Sequence, residues 1–287
     1  MKKHIILGAI LMLMIIPTVA AMPNTSYETI IKTQEFKQRA TNFTHAVFAE
    51  ECTATWCPSC PTAAEALYNI YESGDYPFYY ISLIDDMNSI AKNRNREYSF
   101  GIFKIYAFPT IYFDGGNTNM VGRGNTIHET ENAYRTIIED EGQRTPKQPF
   151  TMESSVNWEG NAKLTVTVTI TNEGKSFYFG KLRSYVTEIE SRWTDDSGDP
   201  YHFGLIDYAI NKYVLLMPGK TKTITGSFDG AANHGGHTYE NITSDNIIVI
   251  STISHWVPHY RLGYQSEEYT QRYFARYVDQ TTAATSI

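Results

Sequence analysis

The feature that most constrains this chain is a change of hydrophobic rhythm at residues 142–149. The string Gly-Gln-Arg-Thr-Pro-Lys-Gln-Pro separates two dissimilar halves there. Upstream, strand-like and helix-like patterns alternate. Residues 46–53 are an apolar strand leading straight into two cysteines. Residues 58–73 carry Ala64, Leu67, Ile70 and Tyr71 at helical spacing, with Gly74 beyond the end as a cap. A second strand is predicted at 78–83, a short polar helix from Asn88 or Ser89 to about Tyr98, a hairpin around Asp114-Gly115-Gly116, and a helix over 128–141. Strand, helix, strand, helix, hairpin, helix is the order of an α/β layer on one mixed sheet.

Downstream, the period drops to two. Leu164, Val166, Val168 and Ile170 alternate with threonines, so one face is buried and the other wet. Asn172-Glu173-Gly174 turns the chain, 181–190 alternates again, and more strands are predicted at 212–217, 221–228 and 246–254. Short strands at this spacing predict an immunoglobulin-like β-sandwich. The expected fold is therefore an α/β domain over 28–145, an all-β sandwich over 148–258 and a C-terminal tail over 263–287. The chain's 287 residues suffice for two ordinary domains.

The first 21 residues read as an export signal. Lys2 and Lys3 precede an apolar run from 5 to 16, then Pro17 and small residues suited to a peptidase. The run is shorter than the ~20 residues of a spanning helix, so an uncleaved signal is the only membrane anchor expected. Localisation is expected to be extracytoplasmic: secreted, periplasmic or cell-surface. A formal charge of −7, with no Lys/Arg-rich run, argues against a nucleic-acid partner. Asn24, Asn42 and Asn241 stand in glycosylation sequons.

The three cysteines, at 52, 57 and 60, lie within nine positions. A secreted scaffold held by disulfides carries a larger, even set; this spacing suits a reactive site. Trp56-Cys57-Pro58-Ser59-Cys60 falls at a strand-to-helix junction, where unpaired N–H groups and the helix dipole favour a thiolate at Cys57. Pro58 is tolerated in the first turn, whereas Pro61 is expected to cost one ladder bond. Two intervening residues bring Cys60 round one turn, beside Cys57. Ser59 is a possible hydrogen-bond donor to the sulfur.

The stretch from Glu50 to Pro61 resembles the active-site segment of the thioredoxin superfamily. Phe108-Pro109-Thr110, leading into Ile111-Tyr112-Phe113 and Asp114-Gly115, is similar to that family's cis-proline loop. The resemblance covers roughly residues 30–145. It implies a thiol–disulfide oxidoreductase in which Cys57 attacks and Cys60 resolves. It further implies that Glu51 exchanges the proton of the resolving thiol, with its pKa raised by burial; Glu50 is the rival, and strand parity favours Glu51. Pro109 is expected to be cis. Trp56, Pro58, Ser59, Phe108 and Thr110 are expected to meet the substrate. The implied partners are protein thiols or disulfides and a redox recycling partner, and no cofactor is called for. The Pro-Ser dipeptide departs from the Gly-Pro of thioredoxins proper and leaves open a range of about 150 mV, roughly 7 kcal/mol.

Two other functions compete: a non-catalytic surface binding or adhesion module with a structural disulfide, and a soft-metal carrier, the latter weakened by the lack of further ligands. Cys52 is expected to be a small buried apolar residue. His234 and His237, in a Gly-rich loop, are expected to face solvent, and His255 and His259 to be structural.

Overall fold

The computed structural model describes residues 42–99, 107–265 and 270–286. The export signal and the Asn24 sequon lie outside them. Val47–Thr53 forms β1, followed by α1 (Cys60–Ser73), β2 (Phe78–Ile84), α2 (Ser89–Tyr98), β3 (Thr110–Phe113), β4 (Thr118–Val121) and α3 (Ile127–Gly142). Strands alone follow: β5 (Phe150–Gly160), β6 (Lys163–Asn172), β7 (Tyr178–Thr194), β8 (Pro200–Leu216), β9 (Thr221–Asp229), β10 (Ile247–His255), β11 (His259–Gln265), β12 (Thr270–Ala275) and β13 (Val278–Thr285). No helix among the described residues is long and apolar enough to cross a membrane.

The halves are not separate. One eight-stranded mixed sheet runs β13-β10-β7-β8-β2-β1-β3-β4. Strand β1 pairs in parallel with β2 and antiparallel with β3, and β8 joins the free edge of β2 in parallel at Ser82 opposite Gly204. Where β8 diverges from this short ladder, the Asn88 side-chain amide donates to the carbonyls of Leu205 and Ile206, at 2.7 and 2.8 Å. The backbone groups freed at the seam thus remain satisfied. A three-stranded antiparallel sheet, β5-β6-β9, and the hairpin β11-β12 complete the strands.

The predicted thioredoxin-like domain followed by an immunoglobulin-like sandwich is therefore wrong. Thirteen strands against three α-helices make the described structure mostly β. Four strands from beyond the 142–149 break extend the sheet begun before it, and the described residues belong to one compact unit. One core shows the same continuity: Phe48, Leu67, Tyr80 and Tyr134 share a cluster with Tyr185, Phe203, Ile250 and Val278. A second core lies between the large sheet and β5-β6-β9, where Leu164, Val166, Val168 and Ile170 meet Leu182, Ile206, Val249 and also Ile84. The rhythm of the sequence reports which faces are wet, and an edge-to-edge strand pairing leaves no mark on it.

Buried charge ties the halves together. Arg94 of α2 makes a two-pronged contact with Glu50 of β1, Nε–Oε1 2.7 Å and Nη2–Oε2 2.6 Å, both side chains being buried. Tyr98 also donates to Glu50, and Tyr185 of β7 reaches it at 3.3 Å. Asp114, at the β3–β4 turn, accepts from His45 at 2.5 Å and Arg144 at 3.0 Å, and Arg144 also donates to the Val278 carbonyl. At the same turn, a Cβ on Gly115 (φ 67) would lie 2.0 Å from the Arg276 carbonyl oxygen, so only glycine admits the C-terminal strands there.

Arg94→Met strands the buried Glu50 carboxylate and is expected to cost about 3–5 kcal/mol in urea unfolding. The full chain is expected to unfold in one transition by fluorescence and circular dichroism. Residues 42–147 expressed alone are expected not to fold, because the β2 edge and the Tyr185–Phe203 side of the core are lost; a cooperative transition of that fragment contradicts the shared sheet.

Candidate functional site

Every residue of β1 is buried, so its C-terminal end delivers the next residues at a fixed point on the sheet. Two tight turns follow: Cys57 N–H donates to the Ala54 carbonyl at 3.2 Å, and Cys60 N–H to the Cys57 carbonyl at 3.1 Å. The approach is held from outside. Asp86 accepts from the Thr55 backbone N–H at 3.1 Å and from its hydroxyl at 2.5 Å. Tyr201 of β8 donates to the Ala54 carbonyl at 3.1 Å and lies 2.8 Å from the Thr53 hydroxyl. A strand from beyond the sequence break thus helps to place the cysteine turn.

Cys57 and Cys60 are at disulfide distance, with sulfurs 2.16 Å and Cα atoms 5.4 Å apart. Helix α1 begins at Cys60, not at the expected Pro58, so Cys57 stands before the helix. Pro61 falls in the first turn, where a missing N–H forfeits nothing, so the expected loss of a ladder bond does not occur. Ser59 occupies the cap position without a side-chain cap bond, and no acidic side chain sits in the first turn. Cys57 is 2% exposed and Cys60 fully buried; both pack with Ala54 against Phe108. Trp56 is 62% exposed and meets Phe108 edge-on at 6.0 Å. Pro58 is exposed as well.

The Phe108–Pro109 peptide is cis, and Pro109 is buried, its carbonyl accepting from Gly122 N–H at 2.8 Å. Thr110 opens β3 opposite Cys52, its hydroxyl donating to the Ala107 carbonyl at 2.6 Å. The structure thus brings Trp56, Cys57, Cys60 and Phe108 into one contact cluster, with Pro109 next in the chain.

Both glutamates of β1 are buried, on opposite faces. Glu50 is consumed by Arg94 and the two tyrosines. Glu51 accepts one hydrogen bond, from Ser82 Oγ at 2.8 Å, and its Oε1 has no hydrogen-bond partner among the described residues. Burial pushes its pKa up to about 8, partly opposed by the Ser82 bond and reinforced by the negative charge of Asp195. Cys52 is a free buried thiol whose pKa burial raises further, with Glu50 adding to it, so it is a poor nucleophile.

Beside the start of α1 lies an open cleft of about 520 Å³, lined by Pro61, Thr62, Glu65, Asp195, Asp199 and His202, among others. His202 stacks on Tyr68 at 3.5 Å between ring centres. Among the described residues no group of three or more His, Cys, Asp or Glu side chains is placed to hold a metal ion.

His234 is buried rather than solvent-facing, held by Asp207 at 2.6 Å and the Asp229 carbonyl at 2.7 Å, while His237 is exposed. Sequence reasoning missed Ser82, Tyr201 and Asp86. Asp86 has a local signal, standing at the end of an apolar strand, whereas Tyr201 has none, since only the sheet seam brings it near.

No family model matches the chain, and no curated protein matches it. Among solved structures, HBP35 of Porphyromonas gingivalis superposes with a TM-score of 0.57 at 13% identity, over 85% of this chain and 76% of that one. Protein AGR_C_4864 from Agrobacterium tumefaciens covers 85% of this chain and 95% of its own, with a TM-score of 0.45 and 13% identity. A β-glucosidase from Listeria innocua matches 45% of this chain and 16% of its own length at a TM-score of 0.25. At such identity the first likeness concerns the fold alone, and the other two carry no argument. The resemblance to thioredoxins read from two sequence segments finds no support in these comparisons.

Proposed function

We propose that this protein carries out thiol–disulfide exchange on protein substrates at Cys57 and Cys60, in the extracytoplasmic setting implied by its N-terminal sequence. The observation that carries the reading is the Cys57–Cys60 pair at disulfide distance, fixed at a strand-to-helix turn and flanked by the exposed Trp56 and Pro58. In the oxidised form a substrate thiolate attacks Cys57 Sγ. A mixed disulfide forms, and Cys60 leaves as a thiolate that takes up a proton. A second substrate thiolate then attacks the substrate sulfur of the mixed disulfide and releases Cys57, so two electrons pass from substrate to protein. With the opposite poise the same steps run backwards. Glu51, protonated at neutral pH and with one oxygen unpartnered, is the proposed donor and acceptor of the Cys60 proton.

A specific observation favours a second reading. Cys57 is almost wholly covered, as a purely structural disulfide is. The two readings separate in one experiment. Under exchange, Cys60→Ser accumulates mixed disulfides with client proteins through Cys57, seen on non-reducing gels and abolished by Cys57→Ser. Under the structural reading the trap stays empty, and Cys57→Ala/Cys60→Ala merely costs about 2 kcal/mol of stability, the loop-entropy value for so short a bridge.

Glu51 has its own pH signature. Its folded pKa lies above the ordinary carboxyl value of 4.5. The folded state therefore binds the proton more tightly, and stability present below about pH 4.5 is lost as pH rises towards 8. Glu51→Gln, which keeps the Ser82 bond, is expected to escape this loss. Urea titrations from pH 5 to 8 should show the variant gaining on the parent by up to about 1.4 kcal/mol per pH unit. Parallel curves contradict the assignment.

A further inference from the structure

At the end of the large sheet where β7 begins and β8 ends, apolar side chains stand in solvent on one face. Phe179 lies opposite Leu215 in the ladder and Lys181 opposite Tyr213. Phe179 stacks on Tyr213 at 5.4 Å and meets Trp256 edge-on at 5.9 Å. Phe177 and Met217 extend the strip into the adjoining loops. Asn172 ties those loops together, its side-chain amide donating to the carbonyls of Ser176 and Leu216, at 2.9 and 3.1 Å. These six side chains are all exposed. So large an apolar patch on a soluble surface marks an interaction site.

The charge around it is one-sided. Lys175 and Lys220 sit in the two tied loops, and Lys222 reaches the Leu215 carbonyl at 3.4 Å. Lys181 lies over the Tyr213 ring at 4.8 Å, whereas Lys212, one residue earlier in β8, stands on the opposite face. The chain as a whole carries −7, yet four of the eight lysines among the described residues gather here, against Glu173, which accepts from Thr151, and Glu97, which faces Lys181 and is paired with Arg94 and Arg183. A second copy of this chain docking face to face would set lysine against lysine, whereas an anionic lipid surface complements both the charge and the apolar strip.

We propose that this end of the molecule is a peripheral membrane-docking surface for an anionic lipid bilayer. Phe177, Phe179, Leu215 and Met217 enter the acyl boundary, Tyr213 and Trp256 lie at headgroup level, and the lysines meet lipid phosphates. This surface is independent of the exchange chemistry at the cysteines.

The test is flotation of the full chain with vesicles of phosphatidylcholine alone, or with about one-third phosphatidylglycerol. Any contribution of residues 1–21 is common to all variants. The parent is expected to partition onto the anionic vesicles and to weaken as salt rises from about 0.1 to 1 M. Lys175→Glu/Lys220→Glu is expected to lose on the order of a hundred-fold in partitioning, and Phe177→Ser/Met217→Ser on the order of a hundred-fold as well. Because all four positions are exposed, melting temperatures should match the parent's and exclude misfolding as the cause. The proposal is overturned if the parent does not float, or if all three proteins float equally. It is also overturned if the variants instead abolish a dimer seen by sedimentation while vesicle binding stays absent.

Discussion

The structure depends on one lateral contact, the joining of β8 to the edge of β2 at Ser82. Without it the α/β elements would present an open strand edge, and β7, β8, β10 and β13 would have no sheet to extend. The ladder there is a single register position, so side chains do much of the sealing. Ser82 Oγ lies 3.0 Å from the His202 carbonyl as well as 2.8 Å from Glu51. Asn88 holds two further β8 carbonyls. The same serine thus touches both the seam and the carboxyl proposed to serve the cysteines.

Buried polar groups set how the halves can meet. A desolvated carboxylate such as Glu50 is tolerable only when paired and hydrogen-bonded, and its partners come from α2 and β7 together. Asp114 and Arg144 repeat the arrangement at the other end, linking the β3–β4 turn, the end of α3 and the start of β13. Such networks contribute little net free energy, but any other relative placement of these elements would leave a charge unpaired.

The two glutamates of β1 show how burial divides chemistry between neighbours. Strand geometry sends them to opposite faces. One is neutralised by a guanidinium and becomes structural. The other meets only a serine hydroxyl and keeps its proton to about pH 8. The nearby cleft with Asp195 adds negative potential that supports this shift. At the end of the sheet where β7 begins, Lys181 and the rings of Phe179, Tyr213 and Trp256 gather instead.

The sequence alone determined the local matters: Cys57 and Cys60 adjacent at a strand-to-helix turn, α1 capped by Gly74, the hairpin about Asp114, and the buried face of Leu164–Ile170. These follow from spacing, turn chemistry and periodicity, which act over a few residues. Tertiary structure decided the rest. Arg94 rather than solvent faces Glu50, Tyr201 steadies the cysteine turn, β12 and β13 grow out of an uninformative Tyr- and Thr-rich tail, and two expected domains merge into one sheet. Strand edges pair through backbone groups common to all residues, and desolvation depends on which distant segments arrive, so neither is written in a local pattern.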